Sequence, residues 1–275
     1  MLGTRIITAV VLLVVLLALL ASNSILAVAV AAGVFLAAAA WEASRLFKTR
    51  YAIAVAALWT VLFAATVWRG VYITPRPLMT LMMVCVLIWV IRLAPSLKVG
   101  LPPLDGFGNK LLGAVYGVAI LGCFVAILAL FAHSPLYLLS ILAIVWIADI
   151  GAYFSGKAFG KRKLAPSISP GKSWEGAIGG WLAVLVLVGA STQVTVLRDT
   201  FGAHVLAARG WPVLILVLTL IAAASVIGDL FESMLKRRAG AKDSSALLPG
   251  HGGVLDRIDA LIPTLPLALL VDAFL

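Results

Sequence analysis

Nine stretches of nearly unbroken apolar residues alternate with short polar segments along this chain. A helix rising about 1.5 Å per residue needs roughly 20 apolar residues to cross the hydrocarbon core of a bilayer. The runs predict membrane-spanning helices over 5–21, 24–43, 52–68, 78–94, 111–132, 135–154, 174–197, 212–231 and 259–275. Only Ser22-Asn23-Ser24 separates the first two, which predicts a tight helical hairpin. Arg5, the apolar stretch after it and the small residues near Ala21 also fit a cleavable signal peptide; the immediate start of the second run favours a span. The expected fold class is therefore all-α, a polytopic transmembrane bundle of about nine spans.

The polar segments set the expected orientation. With the N-terminus in the cytoplasm, the outward segments receive only Arg69, Arg76, Arg198 and Arg209, and the other basic residues of the 21 fall inside. Cytoplasmic segments of membrane proteins carry such an excess of Lys and Arg, so the pattern predicts an N-in, C-out topology. Two long polar loops, 155–173 and 232–258, then share the cytoplasmic face. No repeat or linker divides the chain, so residues 1–275 read as one membrane domain. Spans in 5–132 carry little motif signal, and 135–275 forms the half that carries the chemistry.

Composition agrees with this reading. The chain has 63% hydrophobic and 12% charged residues and a mean hydropathy of +1.15, whereas soluble domains average about 25% charged. A net charge of +10 does not indicate nucleic acid, because the basic residues sit in short loops between apolar runs, where they record orientation and attract anionic headgroups. Cys85 and Cys123 stand singly in apolar runs with no second ligand at metal spacing, so neither a disulfide nor a zinc site is expected of them. His133 and His204 fall on the side away from the polar loops and receive no role.

The chemistry concentrates in Ser233–Asp259, SMLKRRAGAKDSSALLPGHGGVLDRID. Asp149 and Asp229 lie inside apolar runs, where an ionised carboxylate costs about 2.5–3.5 kcal/mol on insertion scales, so each is expected to have a compensating partner. Asp229 and Glu232 are spaced to share a helix face, as are Asp256 and Asp259. Such pairs read either as ion-paired helix starts or as ligands of magnesium, which takes one or two carboxylates and completes its shell with water and phosphate. Pro249-Gly250-His251-Gly252-Gly253 predicts a forced turn whose backbone N–H groups can approach an anion. In the other loop Pro170-Gly171-Lys172-Ser173 suggests a Walker A element, but Pro166 replaces the required glycine and no βαβ unit surrounds it. A basic loop suited to phosphate remains, with Glu175 at a helix start.

These residues resemble the phosphatidate cytidylyltransferases, also called CDP-diacylglycerol synthases. The resemblance rests on Ser233-x-Leu235-Lys236-Arg237, Lys242-Asp243 and Leu248-Pro249-x-His251-Gly252-Gly253-Val254-x-Asp256-Arg257-Ile258-Asp259. A second block comprises Asp149 to Tyr153, Phe159-Gly160, Leu164-Ala165-Pro166 and Ser169-Pro170 through Trp174-Glu175-Gly176. Gly171 and Ser173 depart from the family's usual basic or amide residue and Thr, which bears on the fine structure of that loop.

The resemblance implies a homodimeric multi-pass enzyme of the bacterial inner membrane, its active site facing the cytoplasm. It would join CTP to phosphatidic acid, giving CDP-diacylglycerol and pyrophosphate with a divalent cation. Asp229 and Asp256 then look like magnesium ligands, with a second cation left open. Lys236, Arg237, Lys242, Asp243, His251, Arg257 and Asp259 complete the expected catalytic set. Asp149, Tyr153, Lys172, Ser173, Glu175, Ser233, Gly252 and Gly253 are the expected substrate-binding set. A CTP-dependent lipid-alcohol kinase and an ion-coupled transporter using Asp149 and Asp229 are the competing readings. A CDP-alcohol phosphotransferase fits poorly, because its spaced Asp motif is absent.

Overall fold

A computed structural model describes residues 2–275. Met1 and the side chains of Leu2 and Arg5 lie outside the described residues, so the orientation charge expected at Arg5 does too. The chain is an all-α polytopic membrane protein. Its helices are α1 (Leu2–Ser22), α2 (Ile25–Leu46), α3 (Ala52–Trp68), α4 (Pro75–Val99), α5 (Phe107–His133) and α6 (Pro135–Phe159), then α7 (Trp174–Ser191), α8 (Phe201–Ala239), the single turn α9 (Leu255–Ile258) and α10 (Leu261–Asp272). Between α6 and α7 a short antiparallel hairpin pairs β1 (Lys163–Ala165) with β2 (Ser169–Ser173).

Each predicted apolar run falls on a helix, although the helix of the 174–197 run ends at Ser191; among the described residues six helices are long and apolar enough to cross a membrane: α2, α4, α5, α6, α7 and α8. Of the other runs, the first lies in α1, a helix of 21 residues whose side chains are described without a break over Ile6–Ser22; the third lies in α3, of 17 residues, and the ninth in α10, of 12. Two boundaries differ more. The expected span 212–231 belongs to a helix of 39 residues that bends at Gly210, whose positive φ of 76° breaks the ladder just before Pro212. This helix runs on to Ala239, so Ser233–Arg238 are helical rather than part of a loop, and Gly240 at φ 74° ends it in a left-handed cap. The loop expected over 155–173 likewise begins with the last turn of α6 and contains the β-hairpin.

Local chemistry explains the helix starts. Ser24, Ser134 and Ser173 each accept a backbone N–H of the first turn of α2, α6 and α7, and Pro135 follows Ser134 where a missing N–H costs nothing. Helix α5 is the centre of the bundle: most of its apolar stretch is buried, whereas less than half is buried in each of the other five long helices. Exposed Ile6, Val10, Leu58, Val186 and Leu216 face outward, as expected where the surroundings are lipid. Helix α6 packs closely on α7 because Gly151 stands against Gly180; a Cβ on Gly151 would come within 3.0 Å of the Gly180 backbone.

The helix directions sort the polar segments into two ends. Thr8 Oγ1 donates to the Pro249 carbonyl at 2.8 Å, and Arg238 reaches the Pro102 carbonyl at 3.0 Å. These bonds place the start of α1, the 100–107 connection and the 240–254 loop at one end, beside the end of α6 and the start of α7. The junctions 22–24, 69–74, 133–135 and 192–200 and the C-terminus lie at the other.

Candidate functional site

A cavity of about 600 Å³ opens at the end where the basic segments gather, walled by the second half of α6, the β2 strand, the start of α7, the middle of α8 and the α9 turn. Small residues make the room. Ala148, Ala152 and Gly156 repeat at every fourth position of α6, and Gly176, Ala177 and Gly180 face them from α7. Tyr153 and Trp181 add aromatic surface.

Into this apolar-walled hollow project Asp149, Asp229, Asp243, Asp256 and Asp259, with Lys157, Lys172, Lys236 and Arg257 among them. Lys172 at the end of β2 places its Nζ 2.5 Å from Asp229 Oδ2, and Ser233, one turn on along α8, donates to Asp229 Oδ1 at 3.2 Å. Lys236 pairs with Glu232 on its own helix and with Asp256 Oδ1 at 2.6 Å. The partners expected for membrane-embedded Asp229 are therefore present. Asp149 makes no side-chain hydrogen bond or ion pair among the described residues and faces the open cavity.

Asp256 is the most thoroughly held of these acids. Its Oδ2 accepts the Ser244 N–H at 2.9 Å, the Ser244 hydroxyl at 2.7 Å and the Gly253 N–H at 2.7 Å, while Oδ1 accepts Lys236. Burial opposes ionisation of Asp256, but the Lys236 ammonium and the Gly253 and Ser244 donors prevail and keep its carboxyl below the ordinary range.

Behind Asp256 lies Glu42, a residue that sequence reading missed. Its fully buried carboxylate in α2 accepts the Val254 N–H at 3.1 Å, the Leu255 N–H at 2.6 Å and the Ser244 and Ser245 hydroxyls. One acid from α2 thus ties down both flanks of the turn that precedes α9. The signal was available: an acid inside an apolar run demands partners, by the argument applied to Asp149 and Asp229.

The Pro249–Gly253 segment forms the expected turn, with Gly250 at φ 76° and Gly252 at φ 83°. Its backbone N–H groups serve the protein itself: His251 N–H bonds the Leu248 carbonyl and Gly253 N–H bonds Asp256. Arg257 clamps the His251 carbonyl through Nε at 3.0 Å and a terminal nitrogen at 2.8 Å.

Of the expected site residues, the structure brings Asp149, Tyr153, Lys172, Ser173, Asp229, Lys236, Asp243, Asp256, Arg257 and Asp259 to the cavity wall. It does not bring Arg237, Lys242, His251, Glu175, Ser233, Gly252 or Gly253 there. Arg237 and Lys242 point into open surroundings. Glu175 spends its carboxylate on the N–H groups of Lys161 and Arg162 and on the Arg162 side chain, which pins the start of the hairpin loop. Ser233 acts through Asp229, and Gly252 and Gly253 shape the turn.

The oxygen donors of this hollow suit a hard dication such as magnesium. At Asp229 a cation already rests on the carboxylate in the form of the Lys172 ammonium. At Asp256 Oδ1 the Lys236 ammonium has the same place, and Oδ2 is committed to backbone and hydroxyl donors. The hollow's acids do not converge three to a point; the one such trio among the described residues is at the opposite end of the bundle. Magnesium needs only one or two carboxylates, so the donor set fits it.

The sequence model of the Cytidylyltransferase family matches residues 3–275. The chain is 52% identical to a phosphatidate cytidylyltransferase of Haemophilus influenzae over 134 residues, which is 49% of this chain and 44% of that protein. It is 50% identical to one of Pseudomonas aeruginosa over 129 residues (47% and 44%). A third, of Bacillus subtilis, is 37% identical over 163 residues (59% and 56%). The chain thus spans about half the length of these relatives.

Proposed function

The chain belongs to the cytidylyltransferase family, and from that premise we propose that it transfers the cytidylyl group of CTP to phosphatidic acid, releasing CDP-diacylglycerol and pyrophosphate. One observation carries the reading: two polar blocks far apart in sequence, 149–176 and 229–259, converge on a single charged hollow set among lipid-facing helices. Such a place suits a reaction between a water-soluble triphosphate and a phosphate on a lipid.

In this reaction a phosphate oxygen of phosphatidic acid bonds to the α-phosphorus of CTP, the bond to the bridging oxygen breaks, and the leaving pyrophosphate takes the electron pair. The attacking group is already anionic, so no strong base is needed. The barrier lies in bringing two anions together and in charge growing on the leaving group. Lys172, Lys236 and Arg257, all on the wall, supply positive charge for the phosphates. Their counter-ions Asp229 and Asp256 keep the lysines extended into the hollow before substrate arrives. Gly171, with open space around it, allows close passage of a phosphate beside Lys172.

Asp229 and Asp256 are the residues that would hold magnesium, and Asp149 and Asp259 on the same wall are the acids left for a second cation. When bound, the ion neutralises and aligns phosphate oxygens. Arg237, Lys242 and His251 belong in this reading to the rim, where the triphosphate would enter. The hollow opens on the cytoplasmic side of the bacterial inner membrane, since the lysine- and arginine-rich segments gather at that end. Two copies of the chain would pair, a point that the detergent-corrected mass in solution decides.

Pyrophosphate release tests the proposal. The purified protein with CTP and magnesium is expected to release pyrophosphate only when phosphatidic acid is added. Release of CDP on addition of a lipid alcohol would mark a kinase instead.

A further inference from the structure

We propose that His133, Asp199 and His204 form a metal site for a zinc-like divalent cation, at the end of the bundle away from the charged hollow. His133 closes α5, His204 lies in the first turn of α8, and Asp199 stands in the connection between α7 and α8. Their donor atoms, two imidazole nitrogens and one carboxylate oxygen, lie within 4.8 Å of one another. His133 Nε2 is 3.2 Å and His204 Nε2 3.3 Å from the same Asp199 Oδ1. Ligand atoms around a tetrahedral zinc with bonds near 2.0 Å are separated by about 3.3 Å. The separations of the two imidazole nitrogens from Asp199 Oδ1 already match that spacing.

The surroundings fit a ligand set. The other Asp199 oxygen is held by the Ser134 hydroxyl, which turns Oδ1 toward the imidazoles as an outer-shell hydrogen bond does at metal centres. The Tyr137 ring lies against both imidazoles, with centroids 4.2 Å from His133 and 5.0 Å from His204. The side chains of His133, His204 and Asp199 are 41%, 36% and 46% exposed, so an ion can enter and water can complete its shell. Two imidazoles, one carboxylate and an open fourth position form the kind of set zinc takes when it keeps a water.

This site is separate from the hollow. From Ser134 to Asp149 helix α6 rises by about 20 Å. The chemistry differs too, borderline nitrogen donors here against hard oxygens there. A bound ion would link the end of α5, the 192–200 connection and the start of α8, and so clamp that end of the bundle.

The test uses the full-length protein in detergent, stripped with a chelator and kept in excess magnesium to fill oxygen-donor sites. Titration with cobalt(II) is expected to give the intense visible absorption of a four-coordinate ion, saturating at one equivalent and abolished by zinc. His133→Asn and His204→Asn should each weaken this binding by at least about tenfold, and zinc should raise the melting temperature of the wild type but not of either variant. Absence of that colour in the wild type, or full retention in His204→Asn, would overturn the proposal in favour of hydrogen bonds alone.

Discussion

The ammonium of Lys172 lies 2.5 Å from Asp229 Oδ2, so the hairpin before α7 and the middle of α8 meet across the hollow through one ion pair. Both partners are part-exposed to the cavity, and exposed ion pairs add little stability. The pair's value is in placing charge. Lys172→Met is therefore expected to lower transfer activity by at least about tenfold while shifting the melting temperature by no more than a few degrees. Lys172→Arg should recover part of the loss. Near-normal activity in Lys172→Met, measured as CDP-lipid formed at saturating magnesium, would remove Lys172 from the site.

Glu42 makes a prediction about architecture. Its carboxylate satisfies two backbone N–H groups and the Ser245 hydroxyl around the turn before α9, while the Ser244 hydroxyl, 3.2 Å away, also has Asp256 as a closer acceptor. Each buried donor left unpaired costs about 1–3 kcal/mol. Glu42→Ala should therefore cost at least about 3 kcal/mol and abolish activity. Glu42→Gln keeps one accepting oxygen and should fall between. Chemical denaturation in mixed micelles measures both, and an Ala variant as stable as the wild type would contradict the role.

Two glycines of the polar segments should respond oppositely to the same change. A Cβ on Gly253 would collide with the Ser244 hydroxyl and the Glu42 carboxylate, whereas one on Gly171 meets nothing within 4 Å. Gly253→Ala is expected to destabilise by about 1–3 kcal/mol, and Gly171→Ala to leave the melting temperature unchanged. Equal effects on melting would show that the turn is not packed as described.

Acid should loosen the site in a defined direction. The Asp256 carboxyl is held below its ordinary value by Lys236, Gly253 and Ser244. Its contribution is then fully present above the unfolded value of about 3.9 and is lost as pH falls through the lower folded value. Melting temperature should be flat in this respect through neutral pH and drop below about pH 4. Asp256→Asn should flatten part of that drop; an unchanged acid profile in the variant would assign the drop to other groups.

Much of the bundle was legible because apolar runs of bilayer length permit little but helices. The Pro249–Gly253 turn was legible for a similar reason, since Gly250 and Gly252 do adopt positive φ. Other features depended on contacts that no local pattern carries. Lys236, Arg237 and Arg238 looked like loop because they are charged, yet α8 continues past the apolar layer as an ordinary helix until Gly240. Glu42 was hidden inside an apolar run and acquires meaning only from partners more than 200 positions away. His133 and His204 belong to different helices and meet only because α5 and α8 end and begin at the same junction. The wall of the hollow was easier to foresee than its depth: Asp229, Asp256 and Lys236 line it, while Arg237 and Lys242 do not.

The fate of label from CTP tests the central claim most directly. With phosphatidic acid, magnesium and the purified protein, label at the α-phosphorus should enter the lipid fraction and label at the γ-phosphorus should leave as pyrophosphate. Asp229→Asn and Asp256→Asn, each still folded by melting curve, should reduce lipid labelling by at least about a hundredfold, as expected when charge is removed from a site that works by electrostatics. Transfer of the γ-label to lipid, or full α-transfer by either variant, would contradict the account.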